Sequence, residues 1–222
     1  MNANQQREHV LLERILILKQ IIEEGRGGPV DRHDLAICYY HLENYEKCAN
    51  QLEQIIKETA NYIDISRVYQ LLSLTLVRLN QYSEAEKLLK KRLEIESDNV
   101  ILLNLLAYSY EKLNRPNDAI AVHRRVLGIN KDHPNSLNSL GYLLTIHGKP
   151  VDLAEAGSHL KAAVKLKPDS PAYLDSLGMY MAKLEHFEAA KKALIKALEL
   201  DPQNMEIIDH LKEVVQKANK KG

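Results

Sequence analysis

The sequence predicts an all-α fold built from helix-turn-helix units repeated along the chain. Three observations predict it. A small residue following a leucine recurs as Ala36, Ser73, Ala107, Gly141 and Gly178, at gaps of 37, 34, 34 and 37. A second small residue recurs as Cys48, Ala85, Ala119, Ala156 and Ala190, at gaps of 37, 34, 37 and 34. The stretch LKQIIEE at 18–24 returns as LEQIIKE at 52–58, 34 positions later. Periods of 20–50 residues mark stacked supersecondary units, each too small to bury its own apolar face.

The unit is spelled most clearly at 170–202, SPAYLDSLGMYMAKLEHFEAAKKALIKALELDP. Leu174, Leu177, Gly178 and Met181 share one face of a first helix, and Ala190, Leu194 and Ala197 share one face of a second. Ser170 suits an N-cap, Pro171 the first helical position, and Asp201-Pro202 a stop. Gly178 and Ala190 are small where the two helices cross.

In chain order, 1–6 is polar and expected to fray. Residues 7–24 read as a helix with Leu11, Ile15, Leu18 and Ile22 on one face. Its match to 52–58 puts it in register as a second helix whose first helix is missing, so 1–28 is either a half repeat or a cap. GRGGP at 25–29 stops this helix; no strand precedes it and no Lys-Ser/Thr follows, so it is not a phosphate loop. Five repeats are expected over 29–202, at about 29–62, 66–99, 100–133, 134–170 and 171–204. Three extra residues fall near 59–64. Three more fall near 147–153, where Gly148 and Pro150 make a longer turn. Residues 203–217 read as a final helix with Met205, Ile208, Leu211 and Val215 inward, capping the last repeat before a short basic tail.

This period and small/large pattern resemble the tetratricopeptide repeat (TPR) family over nearly the whole chain. The family pattern is matched best by Leu174, Leu177, Gly178, Met181, Ala190, Leu194, Ala197 and Pro202. The leucine column continues as Leu35, Leu72, Leu106 and Leu140, and the tyrosine column reads Tyr39, Leu76, Tyr110 and Leu144. The resemblance implies a right-handed superhelix, an α-solenoid with terminal capping helices. It also implies a concave groove lined by the first helix of each pair. His123 and Arg92 depart from the pattern, standing in second-helix columns normally apolar or small; those spots are expected to be loosely packed or solvent-facing.

Composition narrows the function. Thirty basic and thirty acidic residues cancel in 222, which argues against nucleic acid or an anionic membrane as a general partner. The longest uncharged run, 133–148, is too short and too polar to cross a bilayer, so no membrane insertion is expected. Two cysteines, Cys38 and Cys48, suggest a reducing compartment and a cytoplasmic location; both are expected to be reduced, and Cys48 buried in the alanine column. No Cys-x-x-Cys, His-x-x-x-His pair, Gly-x-Ser-x-Gly elbow or Walker loop occurs. His33 and His41, near Asp31 and Asp34, are the nearest thing to a metal pattern and read better as ordinary histidines. No catalytic residue, cofactor or metal is therefore expected.

The expected site is a surface, bound by a partner protein or peptide. Positions −5, −2, +2 and +5 from each column leucine share one helical face. They give Val30, His33, Ile37 and Tyr40, then Arg67, Gln70, Leu74 and Val77, then Ile101, Asn104, Tyr108 and Glu111. The last two repeats give Asn135, Asn138, Tyr142 and Thr145, then Ala172, Asp175, Met179 and Ala182. The candidate groove residues are Tyr40, Arg67, Gln70, Asn104, Tyr108, Glu111, Asn135, Asn138, Tyr142, Asp175 and Met179. Gln70, Asn104 and Asn138 form an amide ladder able to pair with an extended backbone, with Tyr108 and Tyr142 beside it. The family's carboxylate-gripping positions hold His33, Ile37, Leu74, Ile101 and Leu105, so that clamp is absent. Two functions stay open. One is an adaptor that binds a peptide or domain in the groove. The other is a self-associating homo-oligomer, or a regulatory assembly module of a larger secretion, envelope or enzyme complex.

Overall fold

The computed structural model describes residues 3–59 and 62–221. Twelve α-helices and no strand are found among them, so the fold is an all-α helical-repeat solenoid. Internal contacts divide the chain into two compact units, 1–114 and 115–222.

The first unit holds α1 (Ala3–Glu23), α2 (Pro29–His41), α3 (Tyr45–Glu58), α4 (Ile65–Arg78), α5 (Tyr82–Leu93) and α6 (Val100–Lys112). Each helix packs on the next in sequence, and α4 also packs on α6. By contrast, α2 and α4 barely touch. Between them stands Tyr62, buried, with its ring edge-on to His33 of α2 at 5.9 Å. Tyr62 comes from the segment holding the three extra residues, of which 60–61 lie outside the described residues.

The second unit holds α7 (Pro116–Ile129), α8 (Pro134–His147), a 3₁₀ turn (Pro150–Asp152), α9 (Leu153–Leu166), α10 (Pro171–Lys183), α11 (Phe187–Leu200) and α12 (Met205–Lys221). The small-residue column does what its spacing implies. A Cβ on Gly178 would stand 2.7 Å from Leu194 Cγ, and one on Gly141 2.6 Å from Leu160 Cγ. Those leucines fill the space that the glycines leave, and α12 closes the stack with Ile207 and Val214 against Leu174, Leu194 and Ala197.

Tight turns recur at the same place in the repeat. Glu43, Asn80, Asn114 and Glu185 take positive φ values of 55 to 63°. After α2, Asn44 N–H donates to the Tyr39 carbonyl and Glu43 N–H to that of Tyr40. Gln81 and Asn80 repeat the pair after α4, and His186 and Glu185 after α10. This left-handed cap satisfies the last carbonyls of the first helix and reverses the chain within three residues. The turn after α8 lacks it: Gly148 has φ −72°, and the 3₁₀ turn, with Lys149 N–H bonded to Asp152 Oδ2 at 2.7 Å, takes up the insertion.

Several expectations need correction. The helix α1 begins at Ala3, so Ala3 to Gln6 are helical rather than frayed, while Met1 and Asn2 lie outside the described residues. At the other end α12 runs to Lys221, absorbing most of the expected tail, and its inward residues are Ile207, Leu211 and Val214, whereas Met205 and Val215 are exposed. Ser170 holds the N-cap position of α10 without a side-chain capping bond. Arg92 and His123 are not loosely packed: His123 is 3% exposed. Each has a partner, although Arg92 Nε stays unbonded. His123 Nδ1 lies 3.2 Å from Ser136 Oγ, and Arg92 stacks on Tyr69 and pairs with Glu96. Glu96 also accepts from Ser66 at 2.7 Å and Asn99 at 2.8 Å, tying together α4, the end of α5 and the start of α6. Both cysteines are free and buried. Thr75 donates to the Leu71 carbonyl at 2.7 Å, which leaves the Cys48 thiol to donate to Thr75 Oγ1 at 3.3 Å. Burial pushes both thiols above the ordinary cysteine range.

Candidate functional site: an apolar cavity in the first unit

A cavity of about 650 Å³ opens between α2, Tyr62 and α4, with residues of α6 completing its wall. Val30 and Ile37 come from α2, Leu71 and Leu74 from α4, and Ile101 and Leu105 from α6. They reach one surface because positions three to four apart on each helix share a face. Val30 and Ile101 are exposed at the mouth, at 58% and 55%. His33, Asp34, Tyr62, Asp64, Arg67 and Gln70 make the polar rim.

The charges on that rim are already matched. Asp34 pairs with Arg14 of α1 at 2.6 Å, and Asp64 with Arg67 at 3.4 Å. His33 is buried, and its Nδ1 hydrogen-bonds Tyr62 Oη at 3.3 Å. Burial holds the imidazole below its usual pKa, the nearby Asp64 and Asp34 opposing that shift, so His33 is uncharged at neutral pH. Gln70 Nε2 donates to Ser66 Oγ at 3.4 Å. A site with an apolar floor and rim charges that are already matched favours an apolar side chain over a carboxylate.

Tetratricopeptide repeat models match residues 66–99 and 172–204, and a second such model matches 102–135. The chain belongs to the tetratricopeptide-repeat family. Among solved structures, this TPR chain is similar to YrrB, "a TPR protein with an unusual peptide-binding site", at TM-score 0.66 and 21% identity over 88% of this chain and 97% of that one. TTC0263, a thermophilic TPR protein of Thermus thermophilus, gives TM-score 0.63 at 17% identity over 85% and 100%. MamA gives 0.65 at 16% identity over 80% and 94%. At these identities the likeness is one of fold. No curated protein matches the sequence.

The residues expected to line a TPR groove fall in both units. In the first, Tyr40 is half-buried, its hydroxyl 3.4 Å from Arg78 Nε and its ring edge-on to Tyr45. Arg67 and Gln70 stand on the cavity rim. Asn104 donates from its amide nitrogen to the Val100 carbonyl of its own helix at 2.8 Å, which engages one of its two N–H groups. Tyr108 is exposed, edge-on to Tyr82 and under Lys112, and Glu111 is half-buried one turn on. In the second unit Asn135 is exposed and accepts from Tyr173 Oη at 2.5 Å. Asn138, Tyr142 and Met179 are half-buried, and Asn138 Oδ1 has no hydrogen-bond partner.

Asp175 is a correction: it is 7% exposed, and its carboxylate binds His210 Nδ1 of α12 at 2.8 Å. The stripe also closes at Thr145 and Ala182, both buried, and at His33. The capping helix covers this end of α10, which a count along α10 alone does not register.

The sequence stripe contains Val30, Ile37, Leu74 and Ile101 of this lining but not Leu71, and Leu105 entered only as a clamp position; none of the six apolar residues was assigned as a site. The signals were there: three extra residues near 59–64, and apolar residues at the positions where the carboxylate clamp would be.

Proposed function

We propose that this TPR protein is a non-catalytic interaction scaffold, and that a partner segment docks in the first unit by placing a large apolar side chain between α2, α4 and α6. The observation that carries the reading is the cavity itself, floored by Leu71, Leu74 and Leu105 and rimmed by charges that already have partners. Burying one leucine- or phenylalanine-sized group there contributes about 1.5–3 kcal/mol. Gln70 on the rim, and Tyr108 exposed farther along α6, are placed to meet the flanking backbone and side chains. The peptide-binding site named for YrrB is in keeping with a docking role, and the floor chemistry of this chain differs from a carboxylate clamp. Selection of random displayed peptides on the intact chain tests the reading. An enriched class should carry a large apolar residue and lose its binding to a Leu74→Glu variant, whose altered side chain is half-exposed and whose fold circular dichroism verifies. If no enriched peptide loses affinity for the variant, the reading is refuted.

A second reading is self-association, favoured by α1. Val10, Leu16 and Ile17 are 61%, 68% and 59% exposed there, an apolar surface beyond the face that packs on α2. Light scattering across concentration tests it: a mass that stays monomeric throughout removes it.

A further inference from the structure

The outer side of the first unit carries a second cavity, remote in chemistry from the first. It lies between α3 and α5, holds about 410 Å³, and is floored by Leu72 and Leu76 of α4 with Ile56 and Leu88 as walls. Its charges are not matched. Lys57 and Glu53 form a loose pair at 3.9 Å. On the α5 wall, Lys87 and Lys91 stand one turn apart, exposed, with no carboxylate partner among the described residues. Glu84, one turn before Lys87, is the single unmatched carboxylate of the lining. Three lysines against two glutamates leave the slot net positive, in a chain whose total charge is zero.

We propose that this slot docks an acidic, apolar protein segment: a large side chain entering between Ile56 and Leu88, with carboxylates one turn or two residues away meeting Lys87 and Lys91. Two observations fix that chemistry. The floor is leucine and isoleucine without a polar atom to satisfy, so the inserted group is apolar. The two unpaired ammonium groups sit i, i+4 on one helical face, so they offer two adjacent positive sites on the rim rather than isolated charges. Glu84 at the opposite end sets polarity, repelling a carboxylate placed there and so fixing which way the segment runs. This surface does not rest on the inner cavity, and one protein can use both.

The probe is a library of random displayed peptides, selected on the intact chain carrying Leu74→Glu, so that the inner cavity is disabled. An enriched class combining Leu, Ile or Phe with nearby Asp or Glu is expected. Fluorescein-labelled members should lose about tenfold or more in affinity against Lys87→Glu with Lys91→Glu, by anisotropy. They should also weaken as salt is raised. Both lysines are exposed, so the double reversal keeps its fold, which circular dichroism verifies. Enrichment of no acidic class, or equal binding to the charge-reversed variant, overturns the proposal. So does concentration-dependent self-association that the same reversal abolishes, which would give the slot to a second copy of the chain. Failure of the inner site instead shows when no peptide selected on the parent loses affinity for Leu74→Glu, whatever happens at Lys87 and Lys91.

Discussion

His210 and Asp175 show how one residue pair can carry a pH dependence. The hydrogen bond to Asp175 holds the His210 imidazole above its usual pKa, helped by the charges of Asp175, Glu206 and Glu213 and opposed by burial. A group whose pKa is raised on folding stabilises fully below its unfolded pKa, near 6.5, and that contribution is lost as pH rises through the higher folded value. Buried His33 and half-buried His133 are shifted down and act in the opposite sense, destabilising as pH falls below about 6.5. The difference in stability between the parent and His210→Gln should therefore be largest at mildly acidic pH and shrink toward alkaline pH. A difference that is flat, or grows with pH, contradicts the pairing. Gly178 is a second case of one residue deciding its surroundings. With Leu194 Cγ 2.7 Å from where its Cβ would be, Gly178→Leu should cost about 2 kcal/mol or more through overpacking. An unchanged melting temperature would show that the two helices do not cross there. The glycine was legible because it stands in a column. Asp175 was misread for the same reason: periodicity assigns a face but cannot see a neighbour from another element.

Between successive helices, the left-handed turn residue is the recurring device. Glu43 and Glu185 occupy it without being glycine, at φ 56° and 63°, a backbone region that costs an L-residue about 1–2 kcal/mol. Replacing Glu185 by Gly should stabilise the chain by about 0.5–1 kcal/mol, the gain being reduced by glycine's greater backbone entropy when unfolded. Chemical denaturation reads this directly; a less stable variant would mean that the Glu185 side chain is needed where it is. Helices were the most legible part of the sequence, because apolar residues three and four apart and Pro at first positions mark them independently of context. The turns were legible in place but only partly in kind: Asn favours a positive φ, whereas Glu does not announce one.

For the array taken together, two places matter: where it is closed and where it is opened. Ile207 and Val214 of α12 cover Leu174, Leu194 and Ala197. Deleting residues 203–222 should expose that surface and give aggregation rather than fraying at the end. A truncated chain that stays soluble, monomeric and equally stable would refute the capping role. The opening, the inner cavity, was only half legible. Much of its apolar lining could be read as helical faces, but the cavity is completed by Tyr62 from the segment between α3 and α4, and no pattern along one helix contains that fact. The amide ladder, by contrast, is legible as a recurrence of residue types, yet the Asn104 nitrogen turns back to its own helix.

On the proposed reading, the apolar floor of the first unit, rather than the amide and tyrosine positions, supplies the docking energy. Calorimetry on a peptide selected by the parent chain separates the two, comparing Leu74→Glu with Ile101→Glu against Asn138→Ala with Tyr142→Ala. With both double variants folded by circular dichroism, the first should lose about thirtyfold or more in affinity, and the second should lose far less. Full affinity in the first double variant, with loss confined to the second, would overturn the reading.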